Sequence, residues 1–171
     1  IGLGGLVHLP EIADIIALLR TITFSDAGTS LVRLLTGPTL ALGAKDLAAL
    51  GSFARSLAFG PGGSREKSLE LILESGDPTV MEADDFATGS IVEALEIIDQ
   101  APENRFTSEG LTRLINFSKS IKALRRTMHG SITDSIFLAE QFLGLDVEVL
   151  VRDGWQQGRK NIDKFIDEGA K

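Results

Sequence analysis

Residues 107–128 read TSEGLTRLINFSKSIKALRRTM, and the fold class turns on this stretch. Leu114, Phe117, Ile121, Leu124 and Met128 recur at alternating spacings of three and four residues. That period sets all five on one side of an α-helix, because a turn takes 3.6 residues. Lys119, Lys122, Arg125 and Arg126 fall on the other side. Thr107 or Ser108 opens the helix, where a short side-chain oxygen accepts an N–H that the first turn leaves unpaired. A helix with one apolar stripe buries that stripe against other elements.

The same period extends outward in both directions. Upstream, residues 11–23 align Ile12, Ile15, Ile16, Leu19 and Ile22, with Pro10 at a tolerated first-turn position and Glu11 and Asp14 near the positive helix end. Residues 30–36 predict a short second helix that stops at Thr36-Gly37-Pro38. Residues 45–57 predict a third, with Leu47, Leu50, Ala54 and Leu57 as its seam, ended by Gly60-Pro61-Gly62-Gly63-Ser64. A modest fourth helix spans 65–75, and residues 76–89 form a loop or a loosely helical passage. Ser90 and Glu93 have capping-box spacing and start a helix that runs to Gln100. Downstream, Ser131 to Asp134 caps a helix that ends at Gly144 and carries Ile136, Phe137, Ala139, Phe142 and Leu143. Residues 146–151 read as a short helix or an extended turn, and 157–168 as a last helix with Ile162, Phe165 and Ile166 inward. No alternating apolar run is long enough for a sheet. The expected fold is all-α, a multi-helix bundle of about seven to eight helices forming a single domain over residues 1–171.

Composition narrows the function classes. Hydrophobic residues make up 43% and charged residues 24%, ordinary values for a globular chain. No apolar run reaches the roughly 18 residues of a membrane span. The start, Ile1-Gly2-Leu3-Gly4-Gly5, lacks a signal-peptide pattern and an initiator Met, which leads us to expect a piece excised from a larger protein. The absence of Cys removes disulfides, thiolate metal sites and a Cys nucleophile, and suits a bacterial cytoplasm. His8 and His129 offer no ligand pair. The net charge of −7 argues against a stand-alone, tight nucleic-acid binder, since phosphate affinity comes mainly from Lys and Arg.

The sequence offers little catalytic chemistry. A phosphate-cradling Gly-x-x-x-x-Gly-Lys-Ser/Thr loop is absent, and Gly2-Leu3-Gly4-Gly5 reads as turn chemistry. Glu82, Asp84 and Asp85 lack calcium-loop spacing and read as a solvated loop. No Ser has a plausible His and Asp pair. The basic face at Lys119, Lys122, Arg125 and Arg126 reads either as a nucleic-acid contact or as a solvated helix face. The stretch from Thr36 to Asp46 (TGPTLALGAKD) joins two helices with Gly just before a helix N-terminus, an arrangement that suits a phosphate or a plain helical hairpin.

Four pieces, in order, resemble the 2B subdomain of UvrD/Rep/PcrA-type superfamily 1 DNA helicases. Gly2-Leu3-Gly4-Gly5-Leu6 with Pro10-Glu11-Ile12-Ala13-Asp14 and Leu18-Leu19-Arg20 resembles the entry into that subdomain. Leu34-Leu35-Thr36-Gly37-Pro38 with Leu42-Gly43-Ala44-Lys45-Asp46-Leu47 is similar to the next helix and its Gly-Ile-Gly turn. Ser108-Glu109-Gly110-Leu111 with Leu124-Arg125-Arg126, and Gly158-Arg159-Lys160-Asn161-Ile162 with Phe165, resemble later helices. The likeness covers nearly the whole chain and is closest to the actinobacterial branch. It implies a regulatory domain of an ATP-dependent 3'-5' DNA helicase in repair or recombination, contacting duplex backbone ahead of the fork. ATP and Mg would belong to motor domains outside this chain, which are also its implied partners, and the chain itself would hold no catalytic site, cofactor or metal. By resemblance the DNA-contacting residues are Thr36, Thr39, Leu42, Gly43 and Lys45; the sequence departs at Ala41, where the turn's first Gly is expected. The alternative is a helical protein–protein interaction module with no DNA contact of its own.

Overall fold

The computed structural model describes residues 6–59, 89–145 and 155–169. Among these the chain is all-α, with seven α-helices: α1 Pro10–Thr23, α2 Gly28–Thr36, α3 Ala44–Phe59, α4 Ile91–Glu96, α5 Ser108–Thr127, α6 Ile132–Leu143 and α7 Trp155–Gly169. Two single 3₁₀ turns, Ile98–Gln100 and Glu103–Arg105, lie between α4 and α5. The expected helix over 65–75, the acidic loop through Glu82, Asp84 and Asp85, and the segment 146–151 lie outside the described residues. The chain divides into two compact units, Ile1–Ala41 with Lys119–Lys171, and Leu42–Ser118.

In the first unit α1 packs against α2, α6 and α7, and α6 also against α7. A helix with three neighbours needs a wide apolar face. Ile12, Ile15, Ala17 and Leu18 are buried, whereas Ile16, Leu19 and Ile22 are half-buried, so the inward face is turned from the expected one toward Leu18. The buried face also takes polar groups that find partners. Thr21 donates its hydroxyl to the Ala17 carbonyl at 2.8 Å, and Asn161 of α7 donates to Glu11 at 3.4 Å. The Arg33 guanidinium ties α2 to α1 by donating to Asp14 at 2.5 Å and to the Pro10 carbonyl at 3.4 Å. Both partners of that pair are partly exposed, so it stabilises by about 1 kcal/mol or less. At the head of α6 the expected cap is a complete capping box: Ser131 accepts from the Asp134 N–H, and Asp134 accepts from the Ser131 N–H. Its other end closes on Gly144 at φ 65°, the left-handed conformation that suits glycine.

In the second unit α3 packs against α4, with Leu50, Phe53, Ala54, Val92, Ala94, Leu95 and Ile98 in the core. Leu50 and Ala54 of the expected α3 seam are buried, Leu47 is half-buried, and Leu57 is 42% exposed. Asp46, Ala49 and Phe53 take the remaining inward positions. Ser90 caps α4 by accepting from the Glu93 N–H at 3.2 Å. The α-helix ends at Glu96 and gives way to the 3₁₀ turn that reaches Gln100, so the expected continuous helix is in two pieces. Gly89, just before this cap, lies directly against the Ala54 backbone of α3, an approach open only to a residue without Cβ.

Candidate nucleic-acid interface

The end of α2 is set by Pro38 rather than by glycine's conformational freedom. Gly37 has φ −63° and ψ 167°, ordinary extended backbone. A proline disfavours helical conformation in the residue before it and lacks the N–H to continue the ladder. The Gly37 carbonyl then accepts from the Leu40 and Ala41 N–H groups at 3.3 and 2.7 Å, closing a turn. Ala41 leaves that turn at φ 44°. Left-handed backbone costs a residue with Cβ about 1–2 kcal/mol, and glycine escapes that cost. Ala41 thus holds a backbone conformation that favours glycine. Ala41→Gly is expected to stabilise the chain by about 0.5–1 kcal/mol after glycine's larger unfolded-state entropy is subtracted. Urea denaturation checks this, and an unchanged or lower midpoint contradicts it.

In the second unit Leu42 is buried while Gly43, Ala44 and Lys45 are exposed. The Gly43 carbonyl accepts from the Asp46 and Leu47 N–H groups at 3.1 Å each, which starts α3. The N–H groups of Ala44 and Lys45 belong to the first turn, where the helix ladder offers no acceptor. A Cβ on Gly43 would meet nothing within 4 Å, so the backbone there is open to an approaching group.

One turn in, the Asp46 carboxylate is buried and spans two helix heads. Its Oδ1 accepts from the Thr107 N–H at 2.7 Å and its Oδ2 from the Thr107 hydroxyl at 2.8 Å. Thr107 in turn caps α5 by accepting from the Gly110 N–H at 2.9 Å. The carboxylate therefore sits at the positive ends of both α3 and α5, where negative charge is favoured. Gly110 lies so close beneath it that a Cβ would collide with the carboxylate.

The expected contact residues divide between the units. Thr36 and Thr39 lie in the first and Leu42, Gly43 and Lys45 in the second. Thr36 is exposed, with its hydroxyl donating back to the Val32 carbonyl at 2.8 Å, and Thr39 is exposed in the turn after Pro38. Leu42 is a core side chain, and Gly43 and Lys45 come together at the head of α3.

No family model matches the chain, and no curated protein matches it.

The basic face of α5 is also divided. Lys119 and Arg126 are exposed, and Lys122 and Arg125 are half-buried. Arg125 donates to the Ile22 carbonyl at 3.1 Å, near the C-terminus of α1, where a cation complements the helix dipole. Sequence reasoning missed the Asp46–Thr107–Gly110 cluster. Its available signal was an isolated glycine inside a helical pattern, which often marks a close approach. Among the described residues no group of three or more His, Asp or Glu is arranged to hold a metal ion, and no helix is long and apolar enough to cross a membrane.

Proposed function

We propose that the chain is an accessory domain of an ATP-dependent 3'-5' DNA helicase, of the 2B type found in UvrD, Rep and PcrA. It touches duplex backbone at the head of α3 and modulates unwinding. The observation that carries this reading is the exposed Gly43-Ala44-Lys45 helix head, with first-turn N–H groups to which the helix ladder offers no acceptor, open space at Gly43 and an exposed cation at Lys45. A phosphate oxygen seated there gains N–H hydrogen bonds and the attraction of the helix end. The contact is weak, because the Asp46 carboxylate lies in the same turn and the chain carries a net charge of −7. ATP and Mg belong, on this reading, to motor domains outside this chain, which are also its partners.

The test is titration of a short labelled duplex with the 171-residue chain across a salt series. Binding is expected only at low salt, and Lys45→Glu should weaken it by about tenfold through loss of one phosphate contact and added repulsion. Equal affinity of parent and variant overturns the contact at the head of α3. A protein-interaction module is the second reading. Exposed Phe24, Ile132 and Phe137 favour it, since large apolar side chains on a surface suit a protein partner better than a phosphate backbone. A chain that binds no duplex at low salt would favour that reading.

A further inference from the structure

We infer that the exposed face of α5 from Lys119 to Thr127 is a second polyanion-contact surface, fitted to the phosphate backbone of nucleic acid and separate from the head of α3. Between Glu109 and Asp134 the sequence holds no acidic residue, yet five of the chain's 17 Lys and Arg fall there. In a chain of net charge −7 this is a pronounced local reversal of sign. An ordinary solvated helix mixes signs at spacings of three and four. Helix α7, in the same unit, does so with exposed Lys160, Asp163, Lys164 and Asp167.

Lys119 and Arg126 stand two turns apart on one face, about 10 Å along the helix axis. Both are exposed, and neither takes part in an ion pair among the described residues. Between and beside them Ser120, Ala123 and Thr127 are exposed and small, so a strand can lie close to the helix. The opposite side of α5 is fixed by buried Ile121 and Leu124 and by the Arg125 bond to the Ile22 carbonyl, which hold this face outward. The face has no large apolar side chain. A protein partner needs a buried aromatic or aliphatic anchor at the centre of its interface, whereas backbone phosphates need only cations and small donors.

The test uses the 171-residue chain, a short labelled duplex and a salt series. Lys119→Glu with Arg126→Glu is expected to lower low-salt affinity at least about tenfold and to flatten the log–log salt slope by about 2, one unit per lost phosphate contact. Both residues are exposed, so the melting temperature should stay with the parent. The neutral pair Lys119→Gln with Arg126→Gln should fall between. Parental affinity and slope in the Glu variant overturn the inference, as does a parent that binds no duplex at low salt. Loss of affinity for poly-glutamate with duplex binding unchanged also overturns it, in favour of an acidic protein. Lys45→Glu run alongside separates the two surfaces: its failure alone sinks the head of α3, and failure of the α5 variant alone sinks this face.

Discussion

Gly89→Ala is expected to destabilise the Leu42–Ser118 unit by about 2–3 kcal/mol. The added methyl would fall on the Ala54 carbonyl of α3. A flexible side chain can swing away from such a clash, but a helix carbonyl cannot move without breaking its own ladder. Either α4 shifts off α3, exposing Val92 and Leu95, or α3 distorts. In a chain of this size the loss lowers the melting temperature by about 5–10 °C, readable by far-UV circular dichroism. Gly43→Ala is the control, because nothing lies within 4 Å of the new methyl. Gly89→Ala melting with the parent would contradict the close approach of the Gly89 backbone to α3.

Asp46→Ala is expected to cost a similar amount, about 2–3 kcal/mol. It removes both carboxylate bonds to Thr107 and a negative charge from two helix heads. The sharper expectation concerns Gly110. In the parent, Gly110→Ala forces a methyl into the Asp46 carboxylate and destabilises. Once Asp46→Ala has vacated that space, the same change stabilises, since alanine is favoured over glycine within a helix by about 1 kcal/mol. A urea double-mutant cycle reads this reversal of sign. Additive effects would mean that Asp46 and Gly110 do not meet as described.

The helices were legible because their apolar residues keep a helical period, and Ser90 and Ser131 announce their own helix starts. Rotation of each helix about its axis was less legible. Periodicity counts apolar residues and so discounts Glu11 and Asp46, both buried. Their partners, Asn161 and Thr107, lie far away in sequence, and local spacing carries no trace of them. Asp46 turns α3 so that Phe53 joins Leu50 and Ala54 in its core. Arg125 is a similar case. Helical spacing sets it beside Lys122 and Arg126, and only tertiary structure hands it to the Ile22 carbonyl. At the candidate site the sequence located the exposed helix head at Gly43 and Lys45, but the buried state of Leu42 emerges only from packing.

The most direct test of the accessory-domain reading is duplex titration across a salt series with the 171-residue chain and its Lys45→Glu variant. Weak binding that fades as salt rises is expected, with an affinity about tenfold lower for the variant at low salt. No binding of the parent at low salt, or equal binding by both proteins, would contradict it.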